Sequence, residues 1–568
     1  MPVEERFTLE SESVGALPVV NWFLARMGVF ERLDRFVPHD DARLRLAPAA
    51  VIGVALRNII VGHRPVYAFG EWVAPIDAGL LGLSPGEAAA LNDDRVRRML
   101  DRLFDADRAT LITETVLSVV REFEVELGQL HNDSTTVTLT GGDYPGGGEE
   151  RGGKAVVKPA FGHNKDFRPD LRQLLFVLTV SADGAVPVAY RVEDGNTSDD
   201  TTHVPTWDEL VTLVGQPGFL YVADSKLCSK EAMGHIASRK GRFVTVIPHG
   251  RKEDKWFRDW AQSHAPAWAE ADRRPGARIG DPDEVWRTFE APAPSADGYR
   301  VIWVHSSAKA ARDAASRAAR IEAGLAAVEE VQARLQSPKT RLKTKVAAEE
   351  AVKAVLAAAA AARWVGFSVA ESTVTDYRQE TRGRPGSDTR YRRTDKVMFS
   401  VVAEINAEFV SYDAATDGCF PLITNDREMT PQAVLAAYRY QPNLERRNHM
   451  LKGPQLVAPV FLESPHRIEA LLLCHFLAML AEALIEREAR VSMKAESLAG
   501  IPLYPELRNC PAPSAPRILE IFSSVQRHRL MRGDDVVQVF EPQLTPLQLK
   551  VLDLLHVPAA AYASVAVL

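Results

Sequence analysis

Cysteine is scarce in this chain, which contains four in 568 residues. Cys228, Cys419, Cys474 and Cys510 are scattered without any paired spacing. Disulfide frameworks and structural zinc sites both need several cysteines at short, recurring intervals, so the sequence argues against both. We interpret the four residues as free thiols in a reducing compartment and expect a cytoplasmic protein.

An export signal and a charge-free apolar run are also missing. The first residues, M-P-V-E-E-R, contain no basic segment followed by an apolar one, so nothing suggests export. The most apolar segment, Ile468 to Ile485, includes Glu469, His475 and Glu482, which are costly at membrane depth. We predict a buried core helix here, with Ser464-Pro465 at its start, and no membrane partner.

The chain lacks an overall basic surplus, since 68 Lys and Arg against 75 Asp and Glu give a net charge of −7. This is mild evidence against a nucleic-acid partner. Four local stretches differ: Arg151–Arg172 has six basic against two acidic residues, Arg239–Arg258 seven against two, Arg334–Lys345 five against none, and Arg378–Lys396 seven against three. They are either separate solvated loops or parts of one phosphate-binding groove, and the sequence leaves both open.

The composition, 46% hydrophobic and 25% charged, is typical of a globular protein of several domains. We predict an α/β protein whose ribonuclease H-like core carries a large α+β insertion and follows a helical N-terminal domain. That first domain is either a DNA reader or a scaffold. The predicted regions are the helical domain 1–127, the first part of the core 128–248, the insertion 249–429, the second part of the core 430–496 and a helical C-terminal tail 497–568.

The core prediction depends on the order of elements after Gln129. The segment Q-L-H-N-D-S-T-T-V-T-L-T is rich in β-branched residues and predicts a strand that carries Asp133. A glycine-rich loop, a hairpin around Ala182-Asp183-Gly184, a helix and a strand ending in Asp224 follow, then a helix and the strand R-F-V-T-V-I-P. This order resembles a ribonuclease H-like sheet, in which the strands of Asp133 and Asp224 are neighbours.

The predicted insertion contains an Ala-rich helical hairpin, Ala308 to Ala362, broken at Ser337-Pro338. Strand-like segments flank it at Tyr299–Val304, Phe367–Val374, Val397–Ala403 and Phe420–Thr424. Within it, Arg382-Gly383-Arg384-Pro385 resembles an AT-hook, whose extended arginines enter a narrow minor groove. An ordinary basic loop is the alternative.

The segment Tyr438 to Lys452 predicts a helix from Pro442 that ends before Gly453-Pro454. Glu445 and Lys452 are two turns apart and share one face of it. Taken alone they form an ordinary solvated pair. After this helix the sequence predicts a strand at V-A-P-V-F-L and then the long core helix.

Asp133, Asp224 and Glu445 are the candidate catalytic and metal-binding residues. Two Mg²⁺ or Mn²⁺ ions about 4 Å apart take oxygen ligands from shared carboxylates, activate an attacking oxygen and stabilise the leaving one. Phosphodiester cleavage and strand transfer both need this arrangement. For each aspartate alone, a turn or cap residue is the simpler interpretation.

The same residues carry a family resemblance. Tyr438, Gln441, Glu445 and Lys452 resemble the Y-x2-R-x3-E-x6-K signature of bacterial insertion-sequence transposases of the DDE class. H-N-D-S-T-T and V-A-D-S-K-L look like the two aspartate motifs of that group. G-H-N-K-D-F-R-P-D-L-R-Q and D-G-C-F-P-L-I-T-N also look like family segments, so the resemblance extends from Gln129 to Glu488.

The resemblance implies a DNA transposase that cleaves and rejoins the ends of its element with two Mg²⁺ or Mn²⁺ ions. Its partners would be double-stranded DNA, namely terminal inverted repeats and target DNA, and a second copy of the chain in a homodimer on the DNA. A bacterial protein, associated with the nucleoid when bound to DNA, is implied as well. We predict Tyr438, Gln441, Lys452, Arg382 and Arg384 as DNA contacts.

Two departures from the family pattern leave alternatives open. Gln441 replaces the family's arginine, which removes a charge and a bidentate donor fork. The second aspartate motif also lacks the glycine and aromatic residue often found shortly after the aspartate. The alternatives are a catalytically inactive, transposase-derived DNA-binding protein and a general ribonuclease H-like nuclease.

Overall fold

A computed structural model describes residues 7–39, 44–276, 278, 280–453, 455, 462–506, 508–533 and 535–563. The chain divides into two compact units. Unit 1 combines residues 1–245 with 436–568, and unit 2 comprises 246–435. The predicted boundary after residue 127 does not separate units, because both sides of it lie in unit 1, whereas the predicted insertion 249–429 lies within unit 2.

The N-terminal part of unit 1 is helical, as predicted, apart from one strand at its start. The elements are β1 (Phe7–Ser13), α1 (Leu17–Arg26), α2 (Val29–Phe36), α3 (Pro48–Arg57), α4 (Phe69–Val73), α5 (Pro85–Ala90), α6 (Asp93–Asp105) and α7 (Arg108–Glu122). Helix α6 has a side-chain cap at its start: the Asn92 side chain accepts a hydrogen bond from Arg95 N, 3.0 Å away. Such a cap satisfies an amide that lacks a helical partner.

The sheet of unit 1 follows. Its elements are β2 (Gln129–Leu139), β3 (Glu150–Arg151), β4 (Lys154–Ala155), β5 (Arg172–Ser181), β6 (Pro187–Glu193), α8 (His203–Val214), β7 (Leu220–Ala223), α9 (Lys230–Ser238) and β8 (Arg242–Val246). The strand order is β6-β5-β2-β7-β8, with β5 antiparallel to both β2 and β6 and with β2, β7 and β8 mutually parallel. The predicted adjacency of β2 and β7 is confirmed.

Unit 2 contains the predicted helical hairpin and more strands than predicted. Its elements are α10 (Lys252–Trp260), β9 (Ala269–Arg274), β10 (Glu284–Glu290), β11 (Arg300–Ser306), α11 (Ser307–Gln336), α12 (Lys345–Ala358), β12 (Val365–Gln379), β13 (Tyr391–Ile405), α13 (Ala407–Ala414) and β14 (Cys419–Thr424). Strands β14, β11, β10 and β9 form an antiparallel sheet in that order. Strands β12 and β13 form a separate two-stranded ribbon whose inner half packs on α11 and α12 through Val328, Val352 and Phe399.

After β14 the chain continues as α14 (Pro431–Tyr438), α15 (Gln441–Lys452), α16 (Pro465–Ala495), α17 (Ala515–Glu520), β15 (Gln526–Arg532), β16 (Asp535–Phe540) and α18 (Pro546–Leu554). Helix α15 was predicted from Pro442 and begins one residue earlier. The predicted strand at V-A-P-V-F-L lies almost entirely outside the described residues.

Helix α16 is the central element of unit 1 and contacts α1, α3, α6, α15 and β6. It is the one described helix long and apolar enough to cross a membrane, but 94% of its most apolar window is buried within the protein. Its polar residues have partners inside: Glu469 accepts from Arg108 at 3.1 Å and from Val157 N at 2.9 Å. The predicted buried core helix is therefore confirmed.

The C-terminal region was predicted as a helical tail, and this prediction was wrong. Strands β15 and β16 pair antiparallel, and β1 joins them in the order β1-β15-β16, with Phe7 opposite Arg532 and Ser13 opposite Gln526. Charged residues occupy both strands of the β1–β15 pair, so no alternation of apolar and polar residues marked them as strands. The pairing partner is also distant in sequence.

Candidate active site

Asp133 and Asp224 lie side by side at the centre of the sheet. The last residues paired in parallel between β2 and β7 are Asn132 and Ala223, and each aspartate follows one of them. Asp224 caps a short turn, because its Oδ1 accepts from Lys226 N at 3.0 Å. Its carbonyl oxygen accepts from the Thr245 hydroxyl on β8. The two carboxylates are therefore fixed by backbone pairing and by a turn.

One stripe of helix α15 faces this part of the sheet. Gln441, Glu445, Asn448 and Lys452 are spaced by four, three and four residues, which places them on one side of the helix. Asn448 Nδ2 donates to Asp133 Oδ2 at 3.2 Å. The stripe thus connects the helix that carries Glu445 directly to the carboxylate of β2.

Gln441 binds the sheet rather than facing solvent. It is 6% exposed, its Oε1 lies 2.9 Å from His131 Nδ1, and its Nε2 donates to Asn132 O at 3.1 Å. Both ends of the amide are occupied by β2. The predicted role of Gln441 as a DNA contact is therefore wrong, because the side chain points into the protein and its hydrogen-bonding groups are used there.

Burial and charge raise the pKa of Asp133 to about 6. Loss of solvation is the main cause, Lys165 opposes it, and the negative charges of Asp224 and Glu445 raise the pKa further. The three carboxylates are therefore near enough to repel one another. The assignment of these three residues to one catalytic and metal-binding site stays a prediction.

Glu445 and Tyr438 complete the acidic region. Glu445 is exposed and, among the described residues, no group donates a hydrogen bond to it or forms an ion pair with it. Burial raises the pKa of Tyr438 to about 12, and the charges of Asp224, Glu445 and Asp133 add to this effect. The phenol is therefore within electrostatic reach of all three carboxylates and stays protonated at neutral pH.

Lys165 is a site residue that sequence reasoning did not single out. Its Nζ lies 3.7 Å from Asp133 Oδ1 and 3.1 Å from Asp199 Oδ2, and it donates to Ser134 O at 2.6 Å and to Ser134 Oγ at 2.8 Å. The available signal was its place in G-H-N-K-D-F-R-P-D-L-R-Q within a basic stretch. The lysine supplies one positive charge between two carboxylates, which leaves the region acidic.

Asp199 and Asn448 were also missed. Asp199 belongs to the short turn before α8, and with Asp224 it favours the charged form of His203, although burial is the larger effect and lowers the pKa of that histidine. No motif marked either residue in the sequence. Both came to the site through the packing of elements that are distant along the chain.

The predicted DNA contacts lie in different surroundings. Lys452 Nζ is 2.6 Å from Asp166 Oδ1, and the two side chains are 25% and 37% exposed, so the lysine is paired but reachable from solvent. Arg382 and Arg384 are exposed in the loop that joins β12 to β13 in unit 2. The structure thus leaves Lys452 on the same helical stripe as Glu445, and both arginines accessible.

The chemistry of the donors suits a hard divalent cation. Asp133, Asp224 and Glu445 offer carboxylate oxygens and no sulfur, which is the ligand type that Mg²⁺ and Mn²⁺ prefer. Within the described residues, however, no three His, Cys, Asp or Glu side chains converge closely enough to hold one ion. The donor set fits the metal, and its side chains would have to draw together around it.

The family described as "Domain of unknown function (DUF4277)" matches residues 9–117, which lie in the helical N-terminal part. No curated protein matches the sequence. A solved cryo-EM structure of a piggyBac transposase synaptic complex with hairpin DNA is similar to this chain, with 10% sequence identity and a TM-score of 0.33. The similarity covers 84% of this chain and 73% of the solved chain. A score of this size does not establish a shared fold.

Proposed function

We propose that this chain is a DNA transposase of the DDE class, which cleaves and rejoins the ends of an insertion sequence. The observation that carries the proposal is the meeting of Asp133, Asp224 and Glu445, brought together by parallel strands β2 and β7 and by helix α15. Counted along the chain, the strands β2, β5, β6, β7 and β8 have the order 3-2-1-4-5 in their sheet, and this supports a ribonuclease H-like core. The likeness of the residues around Glu445 to the transposase signature supports it further.

In this proposal Asp133, Asp224 and Glu445 hold Mg²⁺ or Mn²⁺. The bound metal would activate an attacking oxygen and stabilise the leaving one. Asn448 holds the Asp133 carboxylate from α15, and Lys165 holds it from the loop after β4. Tyr438 can donate a hydrogen bond to a phosphate oxygen beside the carboxylates, and Lys452 can attract the same backbone after exchanging its partner Asp166.

The reaction would proceed in two displacements at phosphorus. Water attacks the phosphodiester at the element's end, the P–O3′ bond breaks, and a free 3′ hydroxyl and a 5′ phosphate result. The 3′ hydroxyl then attacks a phosphodiester of the target, forming a new P–O bond and releasing a target 3′ hydroxyl. Each step forms one P–O bond, from water or from a 3′ hydroxyl, as another P–O bond breaks, and neither needs an outside energy source.

The test uses plasmid DNA that carries the natural flanks of the gene. Asp133→Asn and Glu445→Gln should each lose Mg²⁺-dependent nicking at the element's ends while retaining DNA binding. Asp143→Asn is the matched control, because this side chain is fully exposed. Nicking by either site variant at the wild-type rate would overturn the assignment.

The two alternatives make different predictions for the same assay. An inactive derivative binds the ends and does not cleave them with any divalent metal. A general nuclease cleaves without preference for the ends. The departure at Gln441 no longer favours an inactive copy, because its buried amide has a role in the fold. A homodimer on DNA, a cytoplasmic location and association with the nucleoid remain parts of the proposal.

A further inference from the structure

The ribbon of unit 2 extends well beyond the helices that support it. Its inner end is buried against α11 and α12, with Val365, Phe399 and Val401 in the core. From residue 371 to residue 397, a stretch called here the outer ribbon, no residue is buried. A two-stranded hairpin without a covering layer is marginally stable in water. The outer ribbon is therefore a surface that gains from a partner.

The charge of the outer ribbon indicates what kind of partner fits. Arg378 pairs with Asp376 at 3.2 Å, and Arg393 pairs with Asp395 at 3.1 Å. Five further cations have no acidic partner among the described residues: Arg382, Arg384, Arg390, Arg392 and Lys396. Such a run of unpaired cations on an acidic chain is complementary to a polyanion.

A second observation points the same way. Arg378 and Arg392 are directly opposite each other across the two strands. Residues opposite each other in an antiparallel pair lie on one face with their Cβ atoms close together, and like charges at such positions are destabilising. Phosphates between or beside the two guanidinium groups would remove this repulsion. The ribbon thus has an unfavourable pair that an anionic ligand would stabilise.

The other face carries aromatic groups at the same level. Tyr377 is opposite Arg393, and Tyr391 is opposite Gln379, on the face away from Arg378. Tyr377 is 60% exposed and Tyr391 is 49% exposed. Large exposed rings beside arginines are unusual on a solvated ribbon, and they suit contact with bases and deoxyribose in a groove.

We propose that the outer ribbon inserts into the major groove of double-stranded DNA, with its arginines on the flanking phosphates. The major groove of B-DNA is wide enough for a two-stranded β-ribbon. The inference rests on the proposed function, which makes DNA the substrate, and adds a DNA-binding element in unit 2. Pairing with the outer ribbon of a second copy of this chain is disfavoured, because two positively charged ribbons would repel each other.

The first experiment measures binding of a short duplex by the full-length protein during a salt titration, using fluorescence anisotropy. The triple variant Arg382→Gln, Arg384→Gln, Arg390→Gln should bind the duplex at least about tenfold more weakly. The slope of the logarithm of its binding constant against the logarithm of the salt concentration should decrease in magnitude by about 2 to 3. The matched control is Arg312→Gln, Arg320→Gln, Lys353→Gln on the helical hairpin, where the same charge is removed from exposed positions. Wild-type affinity in the triple variant overturns the proposal.

A second experiment keeps every charge. A photo-crosslinking p-benzoylphenylalanine replaces Tyr377, and the same group replaces Val346, which is 65% exposed on α12, as the control. Crosslinking to duplex DNA from position 377 and not from 346 supports the ribbon. Crosslinking to another protein chain instead, with or without DNA, overturns it.

Nicking of the element's ends separates this inference from the proposed function. If the wild-type protein nicks the ends and the ribbon variant binds DNA with wild-type affinity, the ribbon inference is wrong and the proposed function stands. If the wild-type protein binds duplex DNA through the ribbon but does not nick it with any divalent metal, the proposed transposase function is wrong and the ribbon inference stands. A wild-type protein that neither binds nor nicks removes both.

Discussion

Gln441 and His131 meet at 2.9 Å and join helix α15 to strand β2. Because Gln441 Nε2 donates to Asn132 O, its Oε1 is the acceptor, and His131 Nδ1 must carry the proton. His131 Nε2 then accepts from Gln129 Nε2 at 2.8 Å. Burial lowers the pKa of His131 to about 4, so the ring is neutral and the chain of bonds is complete at neutral pH.

The first prediction concerns Gln441→Arg, which restores the arginine of the family signature. A guanidinium has no acceptor for His131 Nδ1–H and would bring a charge into a buried position. We expect the free energy of unfolding to fall by about 2 to 4 kcal/mol and nicking to fall with it. Urea denaturation measures the first effect.

The control for this prediction is Arg446→Gln, an exposed position on the same helix. It should change the free energy of unfolding by less than about 0.5 kcal/mol. Unchanged or improved stability in Gln441→Arg would show that position 441 tolerates the family arginine, and would contradict the role assigned to the His131 bond.

The second prediction concerns Asn448, whose amide holds Asp133 from α15. Asn448→Ala should lower Mg²⁺-dependent nicking about tenfold, because one hydrogen bond of about 1 to 1.5 kcal/mol that orients the carboxylate is lost. If Asn448 positions the carboxylate, the variant should need a higher Mn²⁺ concentration than the wild type for half-maximal nicking. Its affinity for DNA should equal that of the wild type. Equal loss at all metal concentrations, with weaker folding, would indicate a structural role only.

The third prediction concerns the buried ion pair of Arg447 and Glu486, at 2.9 Å and with 2% and 1% of the side chains exposed. Arg447 also donates to Ala185 O and Gly184 O, each at 3.0 Å, in the β5–β6 turn. Arg447→Met removes the nearer of two cations paired with the buried Glu486 carboxylate, leaving Arg490 at 3.4 Å, and also removes both hydrogen bonds to the turn. The free energy of unfolding should therefore fall by about 3 to 5 kcal/mol.

A double-mutant cycle distinguishes the pair from simple loss of packing. Combining Arg447→Met with Glu486→Gln removes the buried negative charge and should recover part of the lost free energy of unfolding. The glutamine oxygen can still accept a hydrogen bond from Ala515 N. Strict additivity of the two substitutions would mean that the ion pair does not couple these residues.

The fourth prediction is a pH dependence of stability from Glu482 in α16. Burial raises the pKa of this carboxyl from 4.5 to about 8, with Glu486 adding to the effect, while Gln455 and Arg447 oppose it. Because the pKa of Glu482 is higher in the folded state than in the unfolded state, the carboxyl contributes fully to stability at pH values below its unfolded pKa. The protein loses this contribution as the pH rises toward 8. Between about pH 5 and pH 8 the loss should approach 3 kcal/mol, in order of magnitude.

Glu482→Gln removes the titrating group and should flatten that part of the profile. Urea midpoints at several pH values for the wild type, this variant and the exposed control Glu330→Gln give the comparison. Parallel profiles for the wild type and Glu482→Gln would contradict a protonated Glu482 in the folded protein.

The sequence was sufficient for elements whose pattern is local. The strand of Asp133, the strand that ends before Asp224 and the helix of Glu445 all lie within a residue or two of their predicted bounds. Their order along the chain also predicted that β2 and β7 are neighbours. These features depend on β-branched runs, turn residues and helix caps that act over short distances.

The direction of a side chain and its distant partners could not be inferred in the same way. Gln441 was assigned to DNA because a signature contains a cation at that position, but the helix turns this residue toward His131. Lys165 and Asn448 entered the site through contacts with β2 that no spacing reveals. The ribbon was predicted as two shorter strands, because its outer residues are polar and lack the apolar alternation of a half-buried strand.

The three-stranded sheet β1-β15-β16 has a consequence for the order in which the protein folds. Strand β1 leaves the ribosome long before its hydrogen-bonding partner β15, because Phe7 is paired with Arg532. During translation the edge of β1 is therefore without its native neighbour while most of the remaining chain is made. Strand β1 therefore acquires its native hydrogen bonds only after β15 has been made, and these two sequence-distant strands must pair before unit 1 is complete.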